Sequence, residues 1–528
     1  MKPLHRLLLL SALAFPALLN AQELRHVRAA VTGGVIEGVV SADDKVRTFK
    51  GIPFAAPPVG DLRWREPQPV VPWTGVRQAV DFGARPMQGF IYSDMVFHDA
   101  GPSEDCLYLN LWKPEHAEGK LPVMVWIYGG GYAAGSTSEP RQDAGNLSKK
   151  GVIVVSMNYR LGVFGFMVHP ELDKETAHGS SGNYGLLDQV AALRWVRANI
   201  ATFGGDPDNV TIFGESAGSG SVCALVASPL SRGLFTRAIG ESGACLAPEF
   251  RLVSHAEALA KCASFDAEIG KTSLAELRAM PAQDLLKAQL RHDDDEFQPN
   301  IDNYFVTSSV LDIYKAGEQA HVPLIAGWNR DEGGPGQYFE SKAPNLANYV
   351  AIAKSKFGSQ ADDFLKVYAA GTDAEAKRAA ADFEGDRSIA YGTWKWLELQ
   401  GKTGGSPVYR YMFDNPLPLA ADAAPGAEPT ANHSWEIEYV FRTITWKKLP
   451  WRPEDHKVSD IMSSYWTNFA KTGNPNGEGL PVWPEYRSAD GYQVMDITPT
   501  PSAAPDAHRD RYLFLDKNWD GATTNDIR

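Results

Sequence analysis

The sequence predicts an α/β protein with a mostly parallel central sheet flanked by helices. Three observations carry this. Short runs rich in valine and isoleucine recur between segments of helical period. Each run is bounded by glycine, proline or charge. Two of the intervening tracts are long, rich in alanine and charge, and helical in pattern. In chain order the strands are PVMVWIY (122–128), VIVVSMNY (152–159), VTIFG (210–214), RAIGE (237–241), PLIAG (323–327) and VYRYMF (408–413). Between the second and third, Leu186, Leu187, Val190, Leu193, Val196 and Ile200 recur at helical spacing, and Gly204-Gly205-Asp206-Pro207 stops the helix. The unit is a strand, a helix and a strand, as a right-handed crossover requires. Residues 248–319 and 338–402 read as helical insertions over one end of the sheet, and AADAAPGAEPT (420–430) as a surface loop. No composition shift resembles a linker, so residues 22–528 are expected to form one domain.

With 528 residues, 44% hydrophobic and 22% charged, the chain has the makeup of a globular protein with a large core, which excludes disorder. Residues 1–21 carry Lys2 and Arg6, an apolar stretch from Leu7 to Leu19 broken by Pro16, and Ala21 at a cleavage position. That is an export signal, and about a dozen apolar residues fall short of the roughly 20 a membrane span needs. The mature protein is therefore expected in a bacterial periplasm or the medium, with no stable membrane insertion. A net charge of −13 repels nucleic acid, whose binding rests on Lys and Arg contacts to phosphate. Of Cys106, Cys223, Cys245 and Cys262, the expected disulfide joins Cys245 to Cys262, which are close in sequence and flank a loop-like APEF segment. Cys/His ligand spacing is absent, so no metal is expected.

Two nearly identical strings, GESAG (214–218) and GESGA (240–244), each present a serine at the end of a predicted strand. In a nucleophile elbow the serine sits on a strained strand-to-helix turn, and small residues two before and two after it let strand and helix approach closely. Gly214 and Gly218 meet that requirement around Ser216, and a helix-forming run follows. The second string has Ala244 where the glycine would stand and continues into CLAPEF, so Ser216 is the better nucleophile. A lone G-x-S-x-G is weak; support comes from Gly129-Gly130-Gly131, directly after the strand VMVWIY. Backbone N–H groups of Gly130, Gly131 and Ala217 would form an oxyanion hole, each donor worth about 2.7–4 kcal/mol to acyl transfer.

VWIYGGGY (125–132), SEDCLYLNLW (103–112), SMNYRLGVFGF (156–166), FGGDPDNVTIFGESAG (203–218) and WNRDEG (328–333) together resemble the type-B carboxylesterase family, the α/β-hydrolases that include cholinesterases and bacterial para-nitrobenzyl esterases. The match runs from about Val31 to Leu515. The resemblance implies an α/β-hydrolase fold and a catalytic triad of Ser216, Glu332 and His433, in the order serine, acid, histidine. Spacing alone would not choose His433 from 12 histidines, nor Glu332 from Asp331. The resemblance also matches Ser242 to a buried serine near the triad acid, supporting Glu332; the other reading is a plain strand-end serine. Glu215 is either a charge favouring imidazolium or a cationic substrate, or a support of the elbow. Asp105 and Arg160 fall in matched motifs as a structural ion pair. The family's first disulfide would join Cys106 to the position of Met87, which leaves Cys106 a buried thiol.

The pattern also departs from its relatives. Residues 81–99 contain no tryptophan, so the cholinesterase cation-π site is missing. Asp293 and Asp295 in HDDDEF lie near the family's acyl pocket; inward they would disfavour anionic acyl groups, outward they form a solvated acidic loop. The Asn-x-Ser/Thr strings at Asn146, Asn209 and Asn432 read as coincidental, since a glycan at Asn432 would obstruct His433. The expected activity is hydrolysis of a small to medium carboxylic ester through an acyl-enzyme, without a cofactor. Two rivals stand beside it: a catalytically inactive binding or adhesion protein of the same fold, and a lipase, which would want a long apolar lid that residues 81–100 do not supply. The oligomeric state, monomer or homodimer, is not legible.

Overall fold

A computed structural model describes residues 25–518 except 247–249, 272, 293–296 and 425. The expected export signal at residues 1–21, and Asp293 and Asp295, therefore lie outside the described residues. One sheet runs through the molecule, built of β1 (His26–Val31), β2 (Gly34–Val40), β3 (Val46–Pro53), β4 (Val76–Gln78), β5 (Tyr108–Pro114), β6 (Leu121–Ile127), β7 (Ile153–Met157), β8 (Gly205–Glu215), β9 (Arg237–Glu241), β10 (Leu324–Asn329), β11 (Val408–Phe413), β12 (Gln493–Ile497) and β13 (Ser502–Pro505). Its order is β1-β2-β3-β5-β7-β6-β8-β9-β10-β11-β12-β13, with β4 beside β2. From β7 to β12 every neighbouring pair is parallel; the outer pairs are antiparallel except β4, which lies parallel to β2. All six strands expected from sequence are present.

The central strands are buried on both faces: β7 is buried at every position, as is β10, which explains their continuous rather than alternating apolar runs. The covering helices that matter for the site are α1 (Tyr184–Asn199), α2 (Ala217–Ala227), α3 (Asp373–Gly385), α4 (Tyr391–Thr403) and α5 (Pro453–Thr472). Helix α1 is the crossover between β7 and β8; a 3₁₀ turn over Ile200–Phe203 and Gly204 at φ 79° end it where the sequence places its stop. Both insertion tracts are helical in their described residues, among them His255–Ile269 and Val310–Ala316 in the first and Leu346–Phe357, α3 and α4 in the second.

At the carboxyl ends of the parallel strands, successive elements are tied by single backbone bonds. The Ser216 N–H donates to the Glu241 carbonyl at 2.8 Å and the Ser242 N–H to Gly327 at 2.9 Å. Arg330 N–H likewise donates to Phe413 at 3.0 Å and Asp414 N–H to Ile497 at 3.2 Å. The loops that carry chemistry thus start from one laced rim, the usual place for sites in α/β sheets.

Two expectations are overturned. The disulfide joins Cys223 to Cys245, with Cα atoms 5.6 Å apart, not Cys245 to Cys262. Cys223 lies on α2, which packs against β9, and Cys245 follows β9, so the sheet brings them together. Cys262 lies on helix His255–Ile269 and its sulfur accepts the Val168 N–H at 3.3 Å. Arg160 pairs with Asp188 of α1, Nη2 to Oδ1 at 2.8 Å and Nε to Oδ2 at 2.9 Å, not with Asp105. Both partners are buried, and Asp188 also accepts the Arg160 N–H, so the carboxylate faces a ready-made fork. Cys106 is a buried thiol, as expected, and burial pushes it well above the ordinary thiol range.

Candidate active site

Ser216 sits between β8 and α2 at φ 57° and ψ −126°, a conformation L-residues rarely hold. A Cβ on Gly218 would lie 2.1 Å from the Ile127 carbonyl oxygen, and one on Gly214 2.6 Å from the same atom. Glycine at both positions is what lets the elbow cross β6 so closely. Ser242 also has positive φ, 50°, but is wholly buried and no helix begins at residues 243–246, whereas Ser216 leads straight into α2 and keeps 8% exposure at the rim.

The triple-glycine turn backs directly onto this elbow. A Cβ on Gly129 would lie 2.5 Å from the Glu215 carbonyl oxygen and 2.8 Å from Ser216 Cβ. Gly130 and Gly131 take φ of 109° and 64°, and neither donates its N–H to another described residue. Ala217 begins α2, at the positive end of its dipole. The turn can therefore offer unengaged donors beside the serine. Tyr92 and Met95 of the loop 81–99 lie over it: the Tyr92 hydroxyl and the Met95 methyl would each be 3.0 Å from a Cβ on Gly131 and Gly130 respectively.

Glu332 and His433 arrive from the loops after β10 and β11. Glu332 Oε2 and His433 Nδ1 are 2.7 Å apart, while Glu332 Oε1 accepts the Asn329 N–H at 2.8 Å. The other face of the imidazole meets Glu215: Nε2 and Oε1 are 3.2 Å apart, within ion-pair reach but off the line of a hydrogen bond. Among the described residues no hydrogen bond joins His433 to the Ser216 hydroxyl. The ring's side chain is 37% exposed, open to an incoming molecule. Burial disfavours its charge, but the carboxylates of Glu215 and Glu332 outweigh this and push its pKa well above that of ordinary histidine. Burial raises Glu215 in turn, and Glu436 adds to this while His433 opposes it.

Glu215 thus stands against the imidazole and the glycine turn, its Oε2 2.9 Å from where a Cβ on Gly129 would lie. Ser242 supports a different carboxylate from the one expected: its hydroxyl donates to Glu436 Oε1 at 3.4 Å, not to Glu332. Three neighbours were not singled out by sequence. Asn329 joins the two loops, its side-chain amide donating to the Asn432 carbonyl at 2.7 Å and to Glu436 Oε2 at 2.5 Å. Glu436, three residues after His433, is buried, and burial first, then Glu332, raises its pKa. Glu241 is buried beneath them, accepts the Trp466 indole N–H at 2.7 Å and is likewise raised by burial. The only signal for Asn329 and Glu436 was membership of the same short strings as Glu332 and His433. Among the described residues no cluster of His, Cys, Asp and Glu suits a metal ion.

A strained serine elbow, a hydrogen-bonded acid–imidazole pair and a glycine turn meeting on one sheet rim define a hydrolase of the α/β class. The chain belongs to the carboxylesterase family, whose model matches residues 25–514, and so to enzymes that hydrolyse carboxylic esters. It is 36% identical over 501 residues to the fumonisin B1 esterase of Sphingopyxis macrogoltabida, covering 90% of this chain and 88% of that protein. It is 34% identical over 514 residues to the para-nitrobenzyl esterase of Bacillus subtilis, covering 94% and 100%. The human cocaine esterase is 34% identical over 515 residues, covering 92% and 90%. A solved PNB esterase structure superposes with a TM-score of 0.78 at 33% identity, covering 93% of this chain and 99% of that one. No described helix is long and apolar enough to cross a membrane.

Proposed function

We propose that Ser216, His433 and Glu332 hydrolyse a small to medium carboxylic ester by two-step acyl transfer. Ser216 Oγ attacks the ester carbonyl while neutral His433 takes its proton, assistance worth roughly 10²–10⁴ in rate. The oxyanion is met by N–H groups of Gly130, Gly131 and Ala217. Glu332 orients the ring through Nδ1 and stabilises the imidazolium. The imidazolium then protonates the departing alcohol, and a water activated by the same ring releases the acid. The observation that carries this reading is that Gly129 packs on Ser216 while Glu332 holds His433 at 2.7 Å on the same rim. The serine–imidazole bond forms as substrate enters, since catalytic hydrogen bonds tighten in the Michaelis complex.

The carboxyl groups of Glu215, Glu332 and Glu436 face the ring, and Arg141 reaches Ser434 beside it at 3.5 Å. This balance favours neutral or cationic esters over anionic ones. An ester panel varying acyl size, alcohol size and charge tests that preference. Substitution Ser216→Ala is expected to abolish hydrolysis of short-chain nitrophenyl esters with the fold intact, and an organophosphate is expected to label one peptide, that of Ser216. Activity retained in Ser216→Ala refutes the assignment; a folded wild-type protein that neither hydrolyses nor is labelled favours the inactive binding-protein reading. Export through residues 1–21 is part of the proposal, tested by the N-terminus of the mature protein.

A further inference from the structure

The acid and histidine loops, with a separation of 101 positions from Glu332 to His433, meet through that pair and through the Asn329 amide, and neither contact leaves the rim. The residue beside the acid joins them. The Asp331 N–H donates to the Ala431 carbonyl at 3.0 Å, its Oδ2 accepts the Ala431 N–H at 2.8 Å, and it pairs with Asn432 as an isolated parallel bridge. The same carboxylate, its side chain only 9% exposed, is gripped by two arginines. Arg330 Nη2 donates to Oδ2 at 2.8 Å, and Arg378 of α3 donates Nη1 to Oδ1 at 2.5 Å and Nη2 to the Arg330 carbonyl at 3.1 Å. Asp414 and Asp382 hold the far sides of Arg330 and Arg378. Burial opposes the charge of Asp331, but the hydrogen bonds from Arg330, the Ala431 N–H and Arg378 outweigh it and keep the carboxyl below its ordinary range.

A second contact, independent of charge, brings the same helix to the acid. A Cβ on Gly333 would lie 2.2 Å from Gly385 N and 2.4 Å from the Ala381 carbonyl, and one on Gly385 3.1 Å from Glu332 Cβ. The end of α3 is pressed against Glu332–Gly333 backbone to backbone. It then passes through a π turn over Asp386–Ala390 into α4, a feature that concentrates at functional sites.

We propose that Arg378 and Asp331 are positioning residues: the inserted helix α3 clamps the acid loop to the histidine loop, so that Glu332 stays on His433 Nδ1. This rests on the triad reading above. Neither residue reaches the serine, and Arg378, its side chain 49% exposed, can be replaced without opening the core.

The sign of a pH effect separates a clamp from a distant charge. The charged groups facing the imidazole are Glu215, Glu332 and Glu436. Deleting the Arg378 cation by electrostatics alone raises the imidazole pKa. Loosening Glu332 removes a carboxylate that holds it up and lowers it. In Arg378→Ala, kcat for a nitrophenyl ester is expected to fall about tenfold or more with KM within about twofold. The acid limb of kcat/KM is expected to move down by about half a pH unit or more, with Arg378→Lys restoring most of both. Arg378→Gln replaces the alanine variant should that one not fold. A limb that stays or rises, or a lysine variant as impaired as the alanine one, overturns the clamp even if thermal stability drops. Ser216→Ala runs in parallel: activity there refutes the triad, whereas an inert Ser216→Ala beside an unchanged Arg378→Ala refutes the clamp alone.

Discussion

Replacing Glu215 by glutamine removes one of the two carboxylates that flank the imidazole while keeping the side chain's volume. Glu215 Oε1 lies 3.2 Å from His433 Nε2. At an effective dielectric of about 20, two unit charges at that distance attract by about 5 kcal/mol. The ring is 37% exposed, so solvent screens part of this. A shift of about 1–3 pKa units, the usual effect of an opposite charge at this range, is the working magnitude. The direction follows from the chemistry. In the proposed mechanism His433 accepts the serine proton only when neutral, and its pKa is raised by Glu215 and Glu332 against the opposing effect of burial. Activity therefore climbs with pH as the ring gives up its proton. Glutamine at 215 lowers that pKa, so the acid limb of kcat/KM moves down by about 1–3 pH units. The plateau is also expected to fall, because Glu215 helps stabilise the imidazolium of the transition state. The assay is initial-rate hydrolysis of a nitrophenyl ester at constant ionic strength, followed where phenol and phenolate absorb equally. A limb that stays in place or moves up shows that Glu215 does not hold the ring's proton.

Four further outcomes follow from the packing. Unfolding without reductant is expected to expose two titratable thiols, those of Cys106 and Cys262; with reductant it exposes four. Replacing both Cys223 and Cys245 by alanine removes a cross-link across 22 residues and is expected to cost about 3 kcal/mol, read as a lower urea midpoint. Gly218→Ala drives a methyl into the Ile127 carbonyl at 2.1 Å and is expected to destabilise the fold by about 1–3 kcal/mol with loss of activity in whatever folds. Asp188→Ala leaves the buried Arg160 without its counter-ion, a loss of about 3–5 kcal/mol in denaturant unfolding, whereas Asp105→Ala is expected to change stability little.

What the sequence disclosed and what it withheld divide along contact range. The β6 and β8 runs, the stop at Gly204 and the glycines around Ser216 were legible because each is a local requirement: strand period, αL backbone, or the space a Cβ would take. Glu332 and His433 were reached only through their flanking strings, since nothing in composition distinguishes one acid or histidine from another. The errors are all long-range. Cys245 is 17 positions from Cys262 and 22 from Cys223, yet the nearer partner in sequence is the wrong one because α2 crosses back over β9. Arg160 shares a resemblance with Asp105 but meets Asp188, on a helix that begins a full segment later. Asn329, Glu436 and Asp331 acquire meaning only when two loops face each other across the rim.

The laced rim bears on how this molecule tolerates change. Each loop leaves the sheet from a root anchored by a single amide to the next strand, at Ser216, Ser242, Arg330 and Asp414. The span between two roots can be long, as the stretch from Arg330 to Asp414 is, without shifting the roots themselves. Novelty in substrate choice can therefore accumulate in the overhanging segments that do not touch the acid and histidine loops, much as a loom holds its warp while the weft is changed.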